Sequence, residues 1–308
     1  MNGVLDAFIV IGVVVAVGYV VGRTGVLGPA ATQVLSRAAF FVASPALLFS
    51  TLARTDVTAV FSAGLVVTAV TSVLACLLYL PVGLLLRRPA GETVVGAMAS
   101  GYVNAGNLGL PVATYALGNV TEVVPVLVFQ LAVLTPFFTT VLGVLSERVD
   151  GARTPRWRLV TAPLRNPIAL ATAAGLAASA TGVLPPEPVL APIELISDLA
   201  VPGMLLAFGI SLCGAKRPGA GETAPLLATV LLLKCVVHPV LALLVGLLLG
   251  LEGHALLAVV VCAALPTAQN VFAYAVRFEQ GVVLGRDAAL STTLASVPVL
   301  FGIVAVLT

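Results

Sequence analysis

Charged residues are scarce in this chain of 308 residues, where they make up 9% of the sequence. A soluble domain is usually about 25% charged. Hydrophobic residues make up 60%, which is more than a soluble protein of this length needs to form its core. The net charge is only +2 and the basic residues are scattered over short loops, so the charge indicates no nucleic-acid partner. The composition therefore predicts an all-α integral membrane protein.

The usual marks of enzymes and of metal sites are also missing. The four cysteines lie in or at the ends of apolar segments, and their spacing suits neither zinc nor a disulfide framework. The sequence has no His-Glu-x-x-His, no Gly-x-Ser-x-Gly and no paired aspartate motif. The N-terminus lacks the positive region of a secretory signal. We therefore expect no enzyme activity, no metal and no cofactor, and a first membrane-spanning helix in place of a signal peptide.

Long apolar runs predict ten membrane spans, because a helix needs about 20 apolar residues to cross the hydrocarbon. The longest loop separates a first group of five spans (1–146) from a second (166–308), with a cytoplasmic linker at 147–165. The ten spans, in order, are Leu5–Val21, Val34–Leu52, Val60–Leu86, Thr93–Leu117, Val123–Leu145, Pro167–Leu184, Val189–Cys213, Ala224–Leu251, His254–Val276 and Val282–Leu307.

Basic residues predict the orientation of these spans. Of the fifteen Lys and Arg residues, all but two fall in alternate loops or within five residues of the span ends that adjoin these loops. The exceptions are Arg54, on the opposite side, and Lys234, inside span 8. Loops rich in Lys and Arg stay in the cytoplasm. The sequence therefore predicts a multi-pass plasma-membrane protein with both termini outside.

Prolines recur in the same order in the two groups of spans, at offsets between 155 and 162 residues. Four matched pairs in order indicate a duplication. Because each copy has an odd number of spans, the copies must be inverted relative to each other, as in many secondary transporters. The pairs are Pro45 with Pro202, Pro81 with Pro239, Pro111 with Pro266 and Pro136 with Pro298.

Two polar stretches interrupt spans 4 and 9. The first runs from Ser100 to Pro111 and the second from Ala264 to Asn270. Proline removes a helical hydrogen bond, and a half-helix that starts after a break presents free N–H groups and a partial positive charge. If the spans cross at Pro111 and Pro266, these ends form an anion site. We expect the amides there to bind a carboxylate substrate, although amides can also simply hold helices together. They are Asn104, Asn107, Gln269 and Asn270.

Ionisable residues within the spans are candidates for coupling or charge balance. Asp198 is predicted nine residues into span 7 and Lys234 ten residues into span 8. They could pair, or either could take part in proton coupling. Two alternatives stay open: Asp198 lies at the interface if span 7 starts later, and Lys234 could snorkel. His238, one turn after Lys234, is a candidate proton relay or a packing residue.

The motif Asn104-Ala-Gly-Asn-Leu-Gly-Leu-Pro111 resembles the fourth-helix signature of the auxin efflux carrier family, which includes plant auxin transporters and bacterial relatives. Leu265-Pro-Thr-Ala-Gln-Asn270, continuing to Leu290-Ser-Thr-Thr and Pro298, is similar to the ninth and tenth helices of that family. The resemblance implies the fold of bile-acid symporters and sodium/proton antiporters. It implies a dimeric scaffold from spans 1, 2, 6 and 7. It also implies a mobile transport unit from spans 3–5 and 8–10, with elevator-type transport of organic anions. Span 3 has no ionisable residue, so a support site that relies on one there is not expected.

These observations predict a secondary-active or potential-driven carrier of small carboxylates, such as auxin-like or dicarboxylic acids. Its expected partners are the acid, membrane lipid and a second copy of the chain. The alternative is a sodium- or proton-coupled symporter of another organic anion. A third alternative is a membrane sensor or channel. The sequence does not specify the acid, the direction of transport or the coupling ion.

Overall fold

The computed structural model describes residues 2–54, 62–150, 167–213, 218–219 and 223–307. Within these ranges the chain is helical and has no β-strand, and Val103 and Thr267 form an isolated antiparallel bridge. Most of the predicted linker, 151–165, lies outside the described residues.

The α-helices of the first part of the chain overlap the first five predicted spans. They are α1 (Asn2–Thr24), α2 (Ala31–Ala38), α3 (Ser44–Leu52), α4 (Ala63–Leu85), α5 (Ala90–Gly101), α6 (Leu110–Ala116), α7 (Val124–Phe129) and α8 (Thr135–Asp150). A short 3₁₀ turn at Val120–Val123 precedes α7.

The helices of the second part overlap the last five predicted spans. They are α9 (Pro167–Thr181), α10 (Glu187–Ser197), α11 (Ala200–Ser211), α12 (Ala224–Leu232), α13 (His238–Leu248), α14 (Gly253–Ala264), α15 (Gln269–Arg277) and α16 (Val282–Leu307).

Length and composition identify the helical stretches that could cross a membrane. Four helical stretches among the described residues are long and apolar enough for this: Ala63–Leu85, Glu187–Ile210, Ala224–Leu248 and Val282–Leu307. Predicted spans 1, 2, 5, 6 and 9 contain shorter apolar helices, such as Gly253–Ala264. The total of ten crossings stays a prediction.

Several prolines follow five-residue π turns, in which hydrogen bonds span five residues instead of four. These turns end one residue before Ser44-Pro45, Leu110-Pro111, Thr135-Pro136 and His238-Pro239. At three of them the residue before the proline bonds back by five, as in Ser44 N–H to the Ala39 carbonyl and His238 N–H to the Leu233 carbonyl. The widened turn accommodates the missing proline N–H, so the helix continues through it.

The chain divides into two compact units, and unit 1 comprises Met1–Phe61, Gly106–Val124 and Leu164–Lys216. Its tightest contact is between α1 and α11, where Gly18 and Gly22, which are four residues apart in α1, face α11. A methyl group placed on Gly18 would lie 2.5 Å from the Leu206 carbonyl oxygen. One placed on Gly209 would meet the Val15 carbonyl oxygen. Only glycines allow this backbone approach.

We expect Gly18→Val to destabilise unit 1, because the added side chain cannot fit between α1 and α11. Overpacking of this kind costs about 1–3 kcal/mol. Gly12→Val is the matched control, since it makes the same change in α1 where nothing lies within 4 Å of the added Cβ. Thermal unfolding of both purified variants measures the difference. Equal unfolding temperatures for the two would contradict the assigned contact.

Unit 2 comprises Ser62–Ala105, Pro125–Pro163 and Arg217–Thr308. Its core joins α4, α5, α8, α12, α15 and α16. Glycines again allow close packing, because a methyl group on Gly96 would meet the Tyr79 ring and one on Gly101 would meet Cys76 and the backbone of Ser72. This brings α5 directly against α4, so the end of α5 is held firmly where span 4 breaks.

The two units divide the spans between them in nearly the same way as the predicted scaffold and transport unit. Unit 1 takes spans 1, 2, 6 and 7, and unit 2 takes spans 3, 5, 8, 9 and 10 together with the first half of span 4. The second half of span 4 differs from the prediction, because 106–124 belongs to unit 1. There Leu108 packs with Val201 and Leu205 of α11, and α6 contacts α1.

Candidate functional site: the crossing of two broken helices

The break in span 4 lies at residues 102–104, which is within the predicted stretch from Ser100 to Pro111 but not at Pro111, where the crossing was expected. Helix α5 ends at Gly101, Tyr102 adopts an extended conformation, and a π turn starts at Ala105. Pro111 lies in the first turn of α6, directly after that π turn. The expected break at Pro111 is therefore corrected: the π turn accommodates the proline, and the backbone leaves helical geometry seven residues or more before it.

The break in span 9 lies between α14 and α15. Leu265 is the C-cap of α14 and has an extended ψ of 144°, and α15 starts at Gln269. Pro266 is therefore within the extended segment and not in the half-helix that follows it. A proline suits this segment because it lacks an N–H that would need a partner.

The two extended segments cross and bind each other through their backbones. The Asn104 N–H donates to the Pro266 carbonyl at 2.7 Å, and the Ala268 N–H donates to the Tyr102 carbonyl at 3.1 Å. Buried backbone groups that leave a helix need such partners, most of all in hydrocarbon. The crossing therefore supplies part of the hydrogen bonding that each break removes.

Polar side chains satisfy further backbone groups at the breaks. Thr267 donates its hydroxyl proton to the Ala99 carbonyl at 2.7 Å, near the end of α5. The Thr267 N–H donates to the Thr292 hydroxyl at 3.0 Å. Gln130 donates its amide to the Val103 carbonyl at 3.0 Å. Thr267, Thr292 and Gln130 are all buried, so each break is held by side chains from neighbouring helices.

The predicted substrate amides lie at or beside this crossing. Asn104 is in the first break and is buried, at 3% exposure. Gln269 and Asn270 are the first two residues of α15 and are half-buried. The Asn270 side chain hydrogen-bonds to the Tyr102 hydroxyl, which also lies 2.8 Å from the Thr135 hydroxyl. The crossing in unit 2 thus brings Asn104, Gln269 and Asn270 together, whereas Asn107 is in the part of the π turn that belongs to unit 1.

Lys234 and His238 form one hydrogen-bonded group inside unit 2. Lys234 is fully buried and His238 is 1% exposed. The Lys234 Nζ lies 2.9 Å from the His238 Nδ1 and 3.4 Å from the Ala263 carbonyl oxygen near the end of α14. The His238 Nε2 lies 3.3 Å from the Thr71 hydroxyl. Lys234 therefore does not snorkel to a surface but points at the break in span 9.

Span 7 predicted Asp198 inside a helix, but the structure places it in the turn at the end of α10. It is the C-cap of α10, its N–H bonds to the Glu194 carbonyl at 3.2 Å, and its side chain is exposed. The turn at Asp198 separates α10 from α11, which starts at Ala200. An apolar run alone does not reveal such a turn, because Leu199 and Ala200 would suit an uninterrupted helix equally well.

A small cavity adjoins the crossing. Thr68, Thr71, Ser72 and His238 supply its polar lining, and Val103, Cys262 and Ala263 connect it with both breaks. Its volume is about 10 Å³, close to the least that can hold one water molecule. A dicarboxylate does not fit this space, so substrate entry would require the surrounding helices to move.

Thr267, Gln130 and the polar face of α4 lie at the crossing, but they were not predicted as site residues from the sequence. A signal for that face was available, since Thr68, Thr71 and Ser72 follow the i, i+3, i+4 spacing of one helix face in an apolar span. Thr267 directly follows Pro266 in the broken stretch. Gln130 had no such signal beyond being a polar residue in span 5.

Apolar helices and two broken helices that cross define the class of this protein as a multi-pass membrane transport protein. Comparison with known proteins agrees. The family model described as "Membrane transport protein" matches residues 4–156 and 157–304. A protein of Rhizobium meliloti (strain 1021) named "Putative malonate transporter" is 32% identical over 271 residues, which is 85% of this chain and 83% of that protein.

The chain belongs to the auxin efflux carrier family of membrane transport proteins. The resemblance found in its sequence motifs is thereby confirmed. The family consists of transporters and not of enzymes.

Proposed function

We propose that this protein is a secondary transporter of small organic anions, with malonate-like dicarboxylates as the first candidates. The observation that carries the proposal is the crossing of the two breaks in unit 2. There Asn104 lies in one break and Gln269 and Asn270 begin the half-helix that follows the other. Discontinuous helices of this kind hold the substrate in many secondary transporters.

The chemistry of the crossing favours an anion. Helix α15 starts at Gln269 and Asn270, so the positive end of its dipole lies at these two residues. Asn270 and Gln269 add neutral amides that can donate to carboxylate oxygens. A carboxylate bound at this end would gain charge-assisted hydrogen bonds.

The relative supports the choice of acid. Its name refers to malonate, which carries two carboxylates on one methylene group. A larger auxin-like acid remains the alternative within the same function, and it would need a wider cavity than a dicarboxylate.

We further propose that the chain acts as a homodimer in the plasma membrane with both termini outside. In this proposal unit 1 is the scaffold and unit 2 carries the substrate in an elevator-type movement. The division of the spans into units supports this assignment, with the second half of span 4 as the exception.

Uptake into proteoliposomes tests the proposed function. The purified protein is reconstituted and offered labelled malonate, succinate and indole-3-acetate, with and without an imposed membrane potential and pH gradient. We expect saturable uptake of malonate that unlabelled malonate competes away and uncharged malonamide does not. Liposomes without protein are the control. Ligand binding without uptake of any acid would replace the transporter with the sensor alternative.

A further inference from the structure

Lys234 is a fully buried lysine within predicted span 8. It lies in the π turn Leu233–Val237, which precedes Pro239. Within the described residues Lys234 forms no ion pair with a carboxylate, and its titratable hydrogen-bond partner is His238, whose Nδ1 lies 2.9 Å from the Lys234 Nζ. An intramembrane ammonium group held in this way needs a function, because its transfer from water is costly.

In each hydrogen bond between Lys234, His238 and Thr71, the donor and the acceptor can be assigned. Thr71 donates its only hydroxyl proton to the Val67 carbonyl at 2.8 Å, so it must accept a proton from the His238 Nε2. The His238 Nδ1 is then an acceptor, and it accepts from the Lys234 Nζ at 2.9 Å. The network thus holds His238 in its neutral form and directs the protons of Lys234 toward acceptors.

The second acceptor of Lys234 is the Ala263 carbonyl, at 3.4 Å. Ala263 is the last residue but one of α14, so its carbonyl has no partner within its helix, and it lies at the negative end of the helix dipole. In transporters with broken helices, carbonyl groups at such ends coordinate the coupling Na⁺ or H⁺. The Lys234 ammonium therefore occupies the position where a coupling cation would bind.

The opposite break provides a comparison within the same unit. The Ala99 carbonyl, near the end of α5, accepts a proton from the neutral hydroxyl of Thr267. The corresponding carbonyl at the end of α14 accepts from the Lys234 Nζ. Thr68, Thr71 and Ser72 line the adjoining cavity together with His238, so residues with hydroxyl groups lie close to the Lys234–His238 pair.

We infer that Lys234 is a tethered cation, which fills the coupling-cation position at the carbonyl end of α14, so that the wild-type carrier needs no Na⁺. The inference rests on the proposed transport function, which it deepens by naming the coupling chemistry. Removing the Lys234 side chain leaves a site for a small monovalent cation such as Na⁺ or methylammonium.

Chemical rescue tests this inference. We expect Lys234→Ala to lower malonate uptake by at least about tenfold, a loss that corresponds to about 1.4 kcal/mol. Methylammonium or ethylammonium at millimolar concentration should restore most of the uptake of this variant and leave the wild type unchanged. Lys216→Ala, which removes the other lysine of the sequence, is the control and should behave as the wild type does.

Three outcomes would overturn the inference. The first is a wild-type carrier that requires Na⁺, which can be measured without any variant. The second is folded Lys234→Ala with wild-type uptake in the absence of added cations. The third is folded Lys234→Ala that remains inactive with Na⁺ and with every alkylammonium ion.

A stability measurement separates this inference from the proposed function. Methylammonium should raise the unfolding temperature of purified Lys234→Ala more than that of the wild type, whatever anion the protein carries. If the wild type transports none of the acids, this shift still supports the cation position, and its absence rejects it. Lys234→Met serves as a second variant if the alanine protein does not fold.

Discussion

Asn270→Asp should abolish transport of dicarboxylates while leaving the protein folded. The change replaces one amide by a carboxylate of the same shape at the start of α15. Two unit charges 4 Å apart repel each other by about 4 kcal/mol at an effective dielectric constant of 20, which corresponds to about a thousandfold loss of affinity. Labelled malonate uptake into proteoliposomes measures this loss.

We expect Asn270→Asp to leave the fold intact. A carboxylate near a helix N-terminus stabilises the helix by about 0.3–1 kcal/mol, and it can accept a proton from the Tyr102 hydroxyl in place of the present hydrogen bond between Asn270 and Tyr102. The matched control is Asn119→Asp, an exposed helix N-cap whose side chain accepts from the Thr121 N–H at 3.0 Å. We expect normal uptake by Asn119→Asp. Normal uptake by Asn270→Asp as well would reject Asn270 as a substrate residue.

The second large effect is expected for Thr267→Val, which keeps the shape of the side chain and removes its hydroxyl group. The Ala99 carbonyl then loses its donor in a buried position, and an unsatisfied buried group costs about 1–3 kcal/mol. Because Thr267 joins the break in span 9 to the end of α5, we expect lower thermal stability and strongly reduced uptake together.

Thr267→Ser separates the hydrogen bond from the volume of the side chain. It keeps the donor to Ala99 and loses only a methyl group, so uptake and unfolding temperature should stay close to those of the wild type. The account of the crossing would be wrong if Thr267→Ser were as damaged as Thr267→Val, since packing and not the hydroxyl group would then hold the break.

The apolar spans and the existence of two breaks could be predicted from the sequence. The scarcity of charge requires a membrane, and in hydrocarbon every backbone group must be paired. A polar stretch with glycine, asparagine and proline can therefore occur only where other protein groups surround it. For this reason Asn104 and Asn270 could be placed near a crossing before their contacts were known.

The exact positions of the breaks could not be predicted, because they depend on partners far away in the sequence. The π turn before Pro111 accommodates the proline locally, whereas Tyr102 and Asn104 leave the helix where they meet Ala268 and Pro266. The same holds for Lys234, whose partner Ala263 lies 29 residues away. Asp198 was misplaced because nothing in the local sequence marks the turn between α10 and α11.

Calorimetric titration of malonate into purified wild-type protein and Asn270→Asp tests most directly whether the crossing binds the substrate. We expect saturable binding by the wild type, no detectable binding by Asn270→Asp, and binding by Asn119→Asp equal to that of the wild type. Equal malonate affinity of Asn270→Asp and the wild type would contradict the account and place the anion elsewhere in the molecule.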